Sequence, residues 1–133
     1  MRNPLNALAL ALLMQLLPAA GGLAAAPLAG VTTNFGGVSV MATPGTLSGG
    51  IWEFQIAFNT HSQELRDDLA KSASLIADGA VSVPLEWRGD PPGGHHRKGV
   101  LRFKAPAGRP AAIELRLARP GETEPRVFRW RLE

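Results

Sequence analysis

The residues in this sequence with the clearest capacity for chemistry are its three histidines. Two are adjacent in Gly93-Gly94-His95-His96, followed by Arg97 and Lys98, and the third lies in Asn59-Thr60-His61-Ser62. Neutral imidazole is a good ligand for copper or zinc, and three imidazole nitrogens make a reasonable site. Adjacent residues in a regular strand point to opposite faces, so a His-His pair there cannot share a metal; in a loop led by two glycines it can. Asp68, Asp90 or Glu122 would add an oxygen ligand. The sequence therefore makes His61, His95 and His96 candidate metal ligands, for copper or zinc. The competing reading has the same imidazoles hydrogen-bond to their surroundings and brace the loops that carry them.

Other chemistries fit less well. The chain has no cysteine, which excludes thiolate metal sites, iron–sulfur clusters, blue-copper centres, cysteine catalysis and the acylated cysteine of a lipoprotein. Met41 is the only methionine beyond the amino-terminal segment, so a methionine-rich copper site is not expected. Ser62 beside His61, with Asp67 and Asp68 nearby, supplies the residue types of a nucleophilic triad. Sequence neighbours rarely have triad geometry, and no strained nucleophile turn is present. Two-carboxylate glycosidase chemistry needs a cleft that a small domain hardly offers. The expectation is a protein that is not an enzyme.

The amino terminus has the order of a secretory signal peptide: Arg2 in a short basic head, an apolar run from Leu5 to Leu17, Pro18, then a stretch rich in small residues to Ala26. Gly22-Leu23-Ala24 and Ala24-Ala25-Ala26 are the two plausible cleavage signals. The apolar run is shorter than the roughly 20 residues of a membrane-spanning helix, so no stable span is expected after cleavage. Residues 1–26 are thus expected to be a leader, and 27–133 a domain exported to the periplasm or the exterior. No histidine lies near the expected cut, which excludes copper sites built on an amino-terminal histidine. Roughly 105 residues remain, enough to bury one core without disulfides.

Charge is uneven along that domain. Residues 27–85 carry a net of −3 and residues 86–133 a net of +5. Most of the basic residues alternate with apolar ones, the pattern of solvated strand faces. A nucleic-acid surface would want clustered basic residues with exposed aromatics, so none is expected. Binding to an anionic surface or partner fits the charge without being specified by it.

The histidines must be positioned by strands. Trp52, Phe54, Ile56 and Phe58 alternate with Glu53, Gln55 and Ala57, giving the strongest strand signal in the chain. Val38 to Ala42, Leu101 to Lys104, Ile113 to Ala118 and Phe128 to Leu132 alternate in the same way. Leu28 to Phe35 is read as irregular. Thr60 and Gln63 have capping-box spacing, which predicts a helical turn over 62–66 before a strand over 69–76. Asp78-Gly79 is a hairpin turn. Val81, Val83, Leu85 and Trp87 alternate with Ser82, Pro84, Glu86 and Arg88, and Pro84 makes this an edge or bulged strand.

The pattern predicts an all-β fold: an immunoglobulin-like antiparallel β-sandwich of about seven strands. In such a sandwich successive connections alternate between the two ends. The connections after the second, fourth and sixth strands, carrying His61, His95-His96 and Glu122-Glu124, should then lie at one end.

Gly36-Gly37-Val38, Asn59-Thr60-His61-Ser62 with Asp68-Leu69, Trp87, Gly93-Gly94-His95-His96, Gly99, Leu101 and Phe103 form a spaced pattern. It resembles an uncharacterised family of small exported bacterial and archaeal β-sandwich proteins that carry the Asn-Thr-His-Ser and Gly-Gly-His-His signatures in this order. The resemblance implies an exported sandwich whose histidine loops belong together, and it implies no activity or ligand. The functional expectation is an exported, non-catalytic binding module whose partner is a divalent metal ion or an envelope protein. Its alternative is an accessory or scaffolding module that binds a protein or envelope polymer, with histidines that only brace loops.

Overall fold

A computed structural model describes residues 27–133; the expected leader, residues 1–26, lies outside the described residues. Two antiparallel sheets face one another. The first has five strands, β1 (Val31–Phe35), β2 (Val38–Pro44), β3 (Ile51–Thr60), β7 (His96–Lys104) and β6 (Glu86–Gly89), in that spatial order. The second has four, in the order β5 (Ala80–Ser82), β4 (Ala73–Ala77), β8 (Ala112–Leu117) and β9 (Arg126–Arg131). A single turn of helix, α1 (Leu69–Ser72), precedes β4. No helix among the described residues is long and apolar enough to cross a membrane.

Period-two alternation explains the core. Trp52, Phe54, Ile56 and Phe58 of β3 are all buried, as are Val38, Val40 and Ala42 beside them and Leu101 and Phe103 of β7. The facing sheet contributes Ala73, Leu75, Ala77, Ile113, Leu115, Leu117, Phe128 and Trp130. Phe54 joins the layers: Phe103 meets it edge-on at 5.8 Å within its own sheet, and Trp130 of the opposite sheet lies 5.7 Å away. Each such ring contributes roughly 1.5–3 kcal/mol by burial.

Three local expectations are corrected. Nine strands form where about seven were expected. One addition is β1, read as irregular because Thr32, Thr33 and Asn34 show no apolar alternation; it pairs with β2 across Gly36-Gly37, both with positive φ. The other comes from Pro84, which splits the expected strand over 81–87 into β5 and β6. Each half is an edge strand, and the two belong to different sheets. Proline's missing donor is tolerated because it falls at the crossing.

The helical turn also lies further along than expected, at 69–72. At Leu65 the backbone is occupied otherwise: its N–H donates to Gly94 O at 3.0 Å, and its C=O accepts from Gly93 N at 2.7 Å. That tertiary pairing outcompetes a local capping box. Finally, β7 begins at His96, ahead of the alternation over Leu101 to Lys104, so the histidine pair straddles a loop and a strand.

The connections after β3, between β6 and β7 and between β8 and β9 do lie at one end: Thr60 N donates to His95 O, and Arg119 bonds to Asp67.

Gly89 and Gly99 face each other in the β6–β7 register, with the Trp87 ring lying across both. A Cβ on Gly99 would come within 2.5 Å of Arg88 O, 2.6 Å of Gly89 Cα and 2.7 Å of Trp87 Cη2. Gly99→Ala is therefore expected to destabilise the domain by about 1–3 kcal/mol through overpacking. Urea unfolding with the midpoint and slope both fitted will check it; an unchanged midpoint contradicts the packing described.

Candidate functional site

The two histidine-bearing segments meet. Thr60 N donates to His95 O at 3.0 Å, and Asn59 pairs with His96 in the β3–β7 register. Thr60 Oγ1 donates to Gly37 O at 2.9 Å and Gln63 Nε2 to Gly36 O at 2.6 Å, which brings the β1–β2 turn to the same end.

All three imidazoles are exposed. The His96 ring is exposed, with Nδ1 2.7 Å from Asn59 Oδ1. A carboxamide oxygen can only accept, so Nδ1 is the donor in this bond. His95 enters the structure through its carbonyl, and its side chain is exposed, as is that of His61. Among the described residues, no group of three or more His, Asp or Glu side chains is placed to hold a metal ion. The expected oxygen donors have other partners: Asp90 Oδ2 accepts from Lys98 N at 3.0 Å, Asp68 pairs with Lys71 at 3.7 Å, and Glu122 is held by two arginines.

Beneath the histidine loops lies an ionic cluster that the sequence reading passed over. Asp67, Arg97, Arg119 and Arg126 are all buried. Arg119 grips Asp67 with two bonds, Nε to Oδ2 at 2.9 Å and Nη2 to Oδ1 at 3.1 Å. Its Nη1 reaches Glu122 at 3.0 Å, and Glu122 in turn takes two bonds from Arg126, at 2.5 and 2.9 Å. Arg126 continues into the β1–β2 hairpin, donating to the carbonyls of Thr33, Phe35 and Val38. Arg97 donates to the carbonyls of Asp67 at 2.7 Å and Asp90 at 3.1 Å, with its guanidinium over Trp87. Three guanidinium groups thus face two carboxylates, and the third cation is solvated by backbone oxygens.

The titration behaviour follows from this arrangement. The Arg126 hydrogen bond, acting against burial, holds the Glu122 carboxyl below its ordinary range. Burial pulls Arg119 down, but its bonds and charge interactions with Asp67 and Glu122 outweigh it and leave the group raised. Burial dominates at Arg97, which is lowered despite Asp67, Asp90 and Asp68 nearby.

A signal for this cluster was present. Arg97 has the parity of Leu101 and Phe103, Arg119 that of Leu115 and Leu117, and Arg126 that of Phe128 and Trp130. Each arginine sits just beyond an apolar row, on the inward side. No family model, curated protein or solved structure matches this chain.

Removing Arg119 would strand a buried Asp67. Arg119→Ala is expected to cost about 3–5 kcal/mol, against less than about 0.5 kcal/mol for His95→Ala at the surface; paired denaturant curves will check both. A carboxyl whose folded pKa is depressed contributes stability that is present above its unfolded value and lost as pH falls through the folded one. Glu122→Gln should accordingly weaken the domain near neutral pH and flatten its loss of stability below the ordinary carboxyl range.

Proposed function

We propose that this chain is an exported, non-catalytic binding module, and that its partner is a protein segment added as a strand along β5. The observation that carries the reading is a row of exposed apolar side chains in the stretch between the two sheets. Val81, Val83 and Leu85 are 67%, 70% and 58% exposed, while the intervening Ser82 and Pro84 are partly buried. The alternation expected there is present, but its apolar members face water.

β5 is a terminal strand. Its hairpin pairs Ala80 with Ala77 and Ser82 with Leu75 around the two-residue turn Asp78-Gly79, so the N–H and C=O of Val81 point away from β4. Edge strands normally carry charges that discourage pairing. From Ala80 to Leu85 there is no charged residue. Free backbone groups flanked by alternating apolar side chains are what strand addition uses: main-chain bonds supply affinity and alternate side chains supply selectivity. The bracing role of the histidines belongs to this reading, supported by the His96–Asn59 bond and by the carbonyl of His95. The copper or zinc reading has no arrangement of three donor side chains behind it among the described residues.

A photo-crosslinking side chain placed at Val83 of the full chain, in the cells that produce it, tests the proposal. It should form a protein adduct that is absent when the crosslinker sits at exposed Gln55, and that disappears in V81K with the circular dichroism spectrum unchanged. Adducts at neither position, or equal adducts at both, would refute a docking edge.

A further inference from the structure

At the end of the sandwich away from the histidines, a cavity of about 950 Å³ lies between the two sheets. The inward rows of both layers run into it. Pro44 continues the row of Val40 and Ala42, and Trp52 that of Phe54 and Ile56. Ala105 continues that of Leu101 and Phe103, and Leu132 that of Phe128 and Trp130. Leu28 and Leu47 also line the cavity and pack against the same core. Backbone bonds fix its walls: Gly45 N donates to Glu53 O at 2.8 Å, Glu53 N to Thr46 O at 2.9 Å and Ala105 N to Gly50 O at 2.9 Å. Pro106 and Pro110 stiffen the β7–β8 connection on the other side.

The polar side chains of the lining are mostly donors. Trp52 is 7% exposed, and its indole N–H has no acceptor among the described residues. The other two indoles do: Trp87 donates to Asp90 O and Trp130 to Ala29 O. Thr46 and Ser48 bring exposed hydroxyls to the rim. Arg109 brings an exposed guanidinium that takes part in no ion pair among the described residues. Arg116, Arg119, Arg126 and Arg129, by contrast, are all held by carboxylates. Glu133 is the one side-chain carboxylate in the lining, and it does not pair with Arg109.

From this geometry we infer that the cavity binds a single acyl chain, with its anionic head at Arg109. Leucine, proline and indole side chains from both sheets suit methylene groups, which gain by leaving water. A carboxylate or phosphate oxygen at the end of the chain suits an unpaired guanidinium with hydroxyls beside it. The Trp52 N–H is left to donate to a carboxyl or ester oxygen. A glycan would set its hydroxyls against Leu28, Leu47 and Leu132, where they lose water without gaining partners. The volume lies within the roughly 300–1,000 Å³ of small-molecule sites, which suits one chain and not a folded partner. A free fatty acid and a monoacyl phospholipid share this chemistry. The cavity shares no residue with the β5 edge, and either proposal stands if the other fails.

The test is calorimetric titration of the protein purified from the cells that produce it and stripped of lipid. The probes are octanoate, decanoate and dodecanoate, the lysophosphatidylcholines of matching chain length, and dodecanol, all kept below micelle formation. Affinity should rise about two- to fourfold per added methylene. Tighter binding of a fatty acid than of the matching lysophospholipid identifies the free acid as the source; the reverse identifies a membrane lipid. Arg109→Ala should weaken dodecanoate about fivefold and leave dodecanol unchanged. Leu47→Asn should weaken every probe about tenfold, with thermal melts showing both variants folded. No saturable binding of any probe, an affinity independent of chain length, or folded Arg109→Ala and Leu47→Asn variants that bind as the native protein does overturns the inference.

Discussion

The chain Asp67–Arg119–Glu122–Arg126 holds one end of this sandwich together. It links the segment after β3 to the β8–β9 connection and, through Arg126, to the carbonyls of the β1–β2 hairpin. Arg97 ties the same segment to the β6–β7 loop through the carbonyls of Asp67 and Asp90. Four chain segments at this end are thus bound by guanidinium groups, two of them also by the backbone bonds of Leu65 with Gly93 and Gly94. Desolvation offsets much of the attraction in such a cluster. Its main effect is geometric, because a bidentate arginine tolerates little rotation about its partner.

At the same end His95 contributes a carbonyl to Thr60 N–H and His96 a surface bond to Asn59. Two glycines ahead of the pair do give the loop its path: Gly93 N and Gly94 O bond to Leu65, closing the loop onto the segment that carries Asp67. The Gly-Gly-His-His and Asn-Thr-His-Ser stretches form two halves of one backbone joint.

The opposite design appears along the side of the molecule where the chain passes from β5 to β6. There the fold leaves apolar side chains in water beside the outward N–H and C=O of Val81. Pro84 separates the two edge strands and prevents them from merging into a single longer one. The molecule therefore has one polar end, braced by buried arginines, and one apolar edge.

Much of the fold was legible in the residues. Strict alternation in β3, β7, β8 and β9 specified strands and two layers, Asp78-Gly79 a hairpin, and Pro84 an edge. Strand parity alone gathered His61, His95-His96 and Glu122 at one end. Alternation tells which residues share a face; it does not say whether that face meets the other sheet or water at a given point. Arg97, Arg119 and Arg126 lie on inward faces and Val81 and Val83 on exposed ones because of where the opposing layer extends. Likewise, the backbone of Leu65 forgoes a local helical turn because Gly93 and Gly94 arrive from elsewhere in the chain. Burial of a charge or exposure of a valine is a property of the second layer, and only the assembled structure decides where that layer lies.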